Sequence, residues 1–146
     1  MKVEDILKGK DTRIITVRLR EPVEVAARLM KSENISALVV KDVCRTEGNV
    51  VMGMFSERDI ARAVVDHGAS ALQMQVEQLM SKTLISCGLE DDVRHVMRLM
   101  VEHNIRHLPV LSDHVLVGVV SARDIIELRL KELEGETGGV TAQARS

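Results

Sequence analysis

Gly53-Met-Phe-Ser-Glu-Arg-Asp-Ile60 returns further along the chain as Gly118-Val-Val-Ser-Ala-Arg-Asp-Ile125. Upstream of each copy, residues 14–40 recur as residues 84–110, seventy positions on. Ile15, Leu19, Val23, Arg28, Leu29, Met30, Asn34, Ile35, Leu38 and Val40 match Ile85, Leu89, Val93, Arg98, Leu99, Met100, Asn104, Ile105, Leu108 and Val110. The loop before the final motif is five residues longer in the first copy. A supersecondary unit repeated in this way buries its apolar face against its own copy. Each half alone, at roughly 60–65 residues, would bury only about 60% of its unfolded surface. The 146 residues, 45% of them apolar, are therefore expected to fold as one pseudo-symmetric module.

Within each copy the pattern reads β-α-β-β-α, an α/β fold. Ile14–Val17 is a short β-rich run, and Pro22 opens a helix with apolar residues at helical spacing that fades at Glu33-Asn34. Ser36–Val40 and Val50–Phe55 form a hairpin around the turn residues Arg45–Asn49, and Ser56 starts a second helix through Val65. The second copy predicts a strand at Leu84–Cys87, a helix at Asp91–Glu102, strands at His107–Leu111 and Val115–Val120 about a turn near Ser112-Asp113, and a helix at Ser121–Leu130. Val3–Leu7 and Val76–Met80 are matching short helices ahead of each copy. The division expected is residues 1–70 as the first repeat with its N-terminal short helix, 71–134 as the second with a linker helix, and 135–146 as a flexible tail without an apolar face.

Composition narrows the function. The net charge is −2, Trp and Tyr are absent, and Phe55 is the single aromatic residue. Single-stranded nucleic acid is bound by aromatic platforms in basic grooves, so no nucleic-acid partner is expected. No run approaches the ~18 apolar residues of a membrane span, and the N-terminus lacks the long apolar stretch of a secretory signal. Cys44 and Cys87 have no metal-type spacing, which fits a reduced, cytoplasmic protein. No His-Glu-x-x-His, nucleophile elbow or P-loop is present, so no metal and no enzymatic activity are expected.

The Ser-x-x-Asp within each octapeptide has a simple structural reading: a capping box that satisfies a free N–H at the start of a helix. The same geometry can bind a ligand. A helix N-terminus favours a phosphate, and an aspartate one turn into it can accept hydrogen bonds from the two vicinal hydroxyls of a ribose. Bonds to a charged partner contribute roughly 1.5–3 kcal/mol each.

The doubled order of these pieces resembles a tandem pair of CBS domains, a Bateman module, of the small stand-alone bacterial type. The resemblance runs from about Val3 to Leu130 and rests on Ile105-Arg-His-Leu-Pro-Val110, Val117–Ile125 and Met52–Ile60. It implies a regulatory binding module, with no cofactor required, that senses an adenosyl nucleotide (AMP, ADP, ATP, S-adenosylmethionine or a NAD-type ligand) in clefts between the repeats. Asp59 and Asp124 would then grip ribose hydroxyls, and Ser56 and Ser121 would face phosphate or ribose. Arg106 and His107 would meet phosphate, Thr16 and Ser86 would touch ribose or base, and Ile14, Leu84 and Ile35 would clamp adenine. Arg58 and Arg123 are candidates for phosphate contact, although an ion pair on the helix surface explains them equally well.

Ser36-Ala37 stands where the second copy has Arg106-His107, so the clefts should differ in phosphate affinity. Leu19 and Leu89 occupy a place where many family members have proline. The resemblance also implies a homodimer formed through the helices at Glu57–Val65 and Ala122–Leu130, and an output passed to an unidentified protein target. The alternative is a constitutive scaffold in which the two motifs are only caps. A third reading, redox sensing at Cys44 or Cys87, requires an accessible thiolate of low pKa.

Overall fold

In the computed structural model of the protein, residues 1–10, 14–44 and 48–145 are described, with side chains for 1–10, 14–42 and 50–135. The elements are α1 (Val3–Lys8), β1 (Thr16–Arg18), α2 (Val23–Glu33), β2 (Ala37–Cys44), β3 (Gly48–Ser56), α3 (Glu57–His67), a 3-10 turn (Gly68–Gln73), α4 (Val76–Leu79), α5 (Val93–His103), β4 (His107–Ser112), β5 (Val115–Ser121) and α6 (Ala122–Arg145). Among these residues no helix is long and apolar enough to cross a membrane.

The repeat is carried into backbone detail. α2 and α5 both end on an asparagine in the left-handed region, Asn34 at φ 54° and Asn104 at φ 52°, a conformation that asparagine tolerates better than most residues. Each hairpin changes register at the equivalent step, between Val40 and Lys41 and between Val110 and Leu111. The glycine that opens each octapeptide lies opposite, pairing Val40 with Gly53 and Val110 with Gly118. The β4–β5 turn is centred on Asp113 and His114, both at positive φ, as a two-residue hairpin loop requires. Of the first hairpin's expected turn, residues 45–47 lie outside the described residues.

Two sequence expectations are corrected. In the first copy β1 pairs in parallel with β2 over Thr16–Arg18. The strand expected at Leu84–Cys87 shrinks to one bridge, Cys87 to Val110. Val39 N–H donates to Ile15 C=O at 3.3 Å, whereas the second copy has Pro109 at this position, and proline has no N–H to give. Secondly, α6 does not end near Leu130. Its backbone is helical through Arg145. No proline follows Pro109 to stop it.

Two apolar cores form, and the short helices cross between them. Val3, Ile6 and Leu7 of α1 are buried with Val93, Val96, Leu108, Val110 and Val120 of the second repeat. Val76 and Met80, in and just after α4, are buried with Val17, Val23, Leu38, Val40 and Phe55 of the first. Backbone bonds fix the exchange: Val3 and Glu4 donate to Asp91 and Leu89, while Val76 and Glu77 donate to Glu21 and Leu19. Each motif glycine leaves room for the visiting helix. A Cβ at Gly118 would meet the Leu7 methyls at 3.0 Å, and one at Gly53 would meet Met80 Cε at 2.9 Å.

Candidate ligand-binding clefts

Both octapeptides build the capping box their sequence describes. Ser56 Oγ accepts from Asp59 N–H at 3.3 Å, and Asp59 Oδ2 accepts from Ser56 N–H at 2.8 Å. Ser121 Oγ accepts from Asp124 N–H at 3.1 Å, and Asp124 Oδ2 accepts from Ser121 N–H at 2.8 Å. The first N–H of each helix is used as well, Glu57 donating to Ser36 C=O at 3.0 Å and Ala122 to Arg106 C=O at 2.8 Å. A ligand would thus find a helix N-terminus whose first and third N–H groups are already bonded, with the N–H of Arg58 or Arg123 between them. The hydroxyls serve the cap, and the carboxylates are the better-placed acceptors for a ligand.

Two clefts open where the repeats meet. One, of about 840 Å³, takes Ile14, Ile15, Asn34, Ile35 and Ser36 from the first repeat and Arg106, His107, Ser121 and Arg123 from the second, with Lys10 and Lys31 at its wall. Asp124 is not among the residues that line either cleft; it stands behind Lys10, whose Nζ donates to Asp124 Oδ2 at 2.7 Å and to Val119 C=O at 2.8 Å. The other, of about 600 Å³, is lined by Ser56, Arg58, Asp59, Arg62, Ser81, Thr83, Ile85, His103, Ile105, Arg106 and His107. These sizes suit a small ligand.

Of the residues singled out in the sequence, Ile14, Ile35, Ser121 and Arg123 gather in the larger cleft, and Ser56, Arg58 and Asp59 in the smaller. Arg106 and His107 face both. Thr16 lies in β1 paired with Val39, and neither it nor Ser86 or Leu84 lines either cleft; Ile85 is the aliphatic residue of that strand position in the smaller one. Lys10, Lys31, Arg62 and Thr83 carry no signal in the repeat: Lys10, Arg62 and Thr83 stand outside its matched segments, and Lys31 has Val101 as its counterpart. Leu19 is explained by its backbone: its N–H donates to Lys41 C=O at 3.3 Å, a bond that proline could not make.

Burial works against ionisation of Asp124, but hydrogen bonds from Lys10 and Ser121 outweigh it and hold its carboxyl below the ordinary range. Burial pushes the His107 imidazole pKa down; its Nε2 lies 3.2 Å from Ser36 Oγ, bridging the repeats. Burial, reinforced by Asp91, pushes the Cys87 thiol up to about 12, which leaves little thiolate for redox chemistry there. The Cys44 side chain lies outside the described residues.

This constellation defines a paired-repeat module. The CBS domain pattern matches residues 3–66 and 76–131, and the chain belongs to the CBS domain family as a CBS pair. It is 32% identical over 128 residues to the CBS domain-containing protein YhcV of Bacillus subtilis, covering 88% of this chain and 85% of that one. The structure of the CBS-domain protein ATU1752 from Agrobacterium tumefaciens superposes with a TM-score of 0.80 at 33% identity, covering 88% and 92% of the two chains. Both are proteins whose length is largely filled by the CBS pair. The CBS pair of protein MJ0100, solved with 5′-methylthioadenosine and S-adenosylmethionine, has a TM-score of 0.75 at 26% identity and covers 90% of this chain and 98% of its own.

Proposed function

We propose that this CBS pair is a regulatory sensor of adenosine-containing nucleotides, acting in a reducing, cytoplasmic setting and carrying out no catalysis of its own. The observation that carries the reading is the duplicated aspartate at a helix start beside clefts that combine aliphatic residues with Arg106 and His107: Asp59 lines the smaller cleft, and Asp124 bonds Lys10, which lines the larger. Ribose hydroxyls would bond the carboxylates, adenine would lie against Ile14 and Ile35 or Ile85 and Ile105, and phosphate would meet the cations. The adenosyl ligands of MJ0100 support the ligand class. A ligand that binds two arrangements of the repeats unequally shifts the balance between them, and that shift would be passed to a partner protein.

We further propose a homodimer through α3 and α6. Val64, Ile126 and Leu130 remain 46%, 65% and 53% exposed, whereas Ile125 is buried and Ile60 and Leu128 pack against the cores. The dimer surface is therefore narrower than the sequence alone implied.

Thermal unfolding with AMP, ADP, ATP, S-adenosylmethionine and NADH tests the ligand reading. A ligand at ~100 times its dissociation constant stabilises the native state by about 2.7 kcal/mol. A selective rise in Tm that Asp59→Ala and Asp124→Ala together abolish is expected. A flat response across the panel would instead favour the constitutive scaffold.

A further inference from the structure

We propose that Lys10 makes the larger cleft selective for adenosine ligands that carry phosphate, by occupying Asp124 until ribose hydroxyls displace it and then turning to the phosphate. The inference rests on the nucleotide reading above and deepens it for one cleft.

Lys10 is delivered by the fold. Ile6 and Leu7 anchor α1 in the second core, and Leu7 closes over Gly118, where a Cβ would stand 3.0 Å from its methyls. The chain leaves α1 at Gly9, and the Lys10 ammonium reaches Asp124, 114 residues along the sequence. The pair is partly enclosed, with the Lys10 and Asp124 side chains 30% and 17% exposed. An ammonium has three donors, and two are engaged here, on Asp124 and on Val119 C=O. It sits on Oδ2, which also holds the cap, so a ribose that bonds both carboxylate oxygens competes with it directly.

An uncharged nucleoside would displace the ammonium and give it nothing in exchange. A phosphate offers it a new partner in the same cleft, together with Lys31, Arg106 and Arg123, opposed among the lining residues by Glu57 alone. A sulfonium ligand would add a further positive charge to that wall. The other cleft has no such device. Counting from Val3 in α1 and Val76 in α4, the place of Lys10 is taken by Thr83, and Asp59 has no cationic partner among the described residues.

Adenosine and ADP are titrated calorimetrically into the full chain carrying Asp59→Asn, which leaves the larger cleft to report, with Lys10 intact or changed to Met or Arg. Lys10→Met keeps the stem and removes the charge. It should tighten adenosine and weaken ADP, reducing the ADP preference by roughly tenfold or more, the scale of one charge-assisted hydrogen bond. Lys10→Arg should keep most of that preference, and Tm confirms that each variant is folded. An unchanged preference in Lys10→Met, with binding still lost on Asp124→Asn, would overturn the role of Lys10 and leave the nucleotide reading standing. Absence of binding by any adenosine ligand to the unmutated chain would overturn both.

Discussion

Asp59 and Asp124 close the same motif and cap equivalent helices, yet their surroundings differ in charge. Asp124 holds the Lys10 ammonium at 2.7 Å, while Asp59 accepts from Ser56 N–H and Oγ at 2.8 and 3.1 Å. The neighbouring arginines diverge as well. Arg123 bonds Glu127 four residues on at 3.0 Å. In the first copy that position is Arg62, and like charges at this spacing repel. Arg58 reaches across the repeats instead and donates to Asn104 C=O at 2.7 Å. Duplication thus preserved the backbone frame, down to matched asparagine caps and register shifts, while single substitutions gave the two clefts different electrostatics.

The strongest test of that shared frame lies in the cores. Phe55 and Val120 are equivalent residues, both fully buried, and Phe55→Ala should cost about 3–5 kcal/mol against about 2 for Val120→Ala, read from denaturant midpoints. Equal losses would show that the repeats unfold with no distinction between their cores.

Next come the carboxylates. Asp59→Ala and Asp124→Ala should each weaken binding in their own cleft by about two orders of magnitude, since two hydrogen bonds to a charged acceptor are removed. Each should also lose about 1 kcal/mol of stability with the cap. Wild-type affinity in both variants would remove the ribose assignment.

A third comparison uses the glycines. Gly53 sits at φ 155° beneath Met80, whereas Gly118 has only the flexible Leu7 methyls above it. Gly53→Ala should therefore cost about 1–3 kcal/mol through backbone strain and exceed Gly118→Ala in a thermal melt. The reverse order would mean that the visiting helix, and not the backbone, sets the requirement for glycine.

The smallest effects are in pH. The His107 pKa lies below its ordinary 6.5 in the folded chain, so the unfolded chain binds more protons just beneath that pH and stability falls as pH drops through this window. Asp124 lies below its ordinary 3.8, so its contribution is complete above about pH 4 and is lost as pH falls through the folded value. In Lys10→Met the folded Asp124 value should move back toward its ordinary one, so the second loss shrinks while the first remains, as stability curves across pH 3–7 would show.

The repeat, the helices and the two caps were legible because each depends on residues close in sequence: Ser56 with Asp59, Pro22 before α2, and Asn34 and Asn104 after their helices. The missing strand before α5 traces to a residue in plain view, Pro109, whose lost N–H matters only once the pairing partner is known. The crossing of α1 and α4 between cores has no local signature, because Val3 and Val76 look alike and either core would bury them. Lys10 was the least legible, since its partner stands in the other repeat and nothing about an isolated lysine marks it. Of the ligand-contact candidates, Thr16 and Ser86 were named through family resemblance, and they lie away from the cleft walls.

The central claim is that the two clefts are inequivalent adenosyl sites built on one duplicated frame. Calorimetric titration of adenosine into the wild-type chain, Asp59→Ala and Asp124→Ala tests it most directly. The account predicts that Asp59→Ala removes the tighter site, because no ammonium has to be displaced there, and that Asp124→Ala leaves that site intact. Indistinguishable titrations for all three proteins would contradict it.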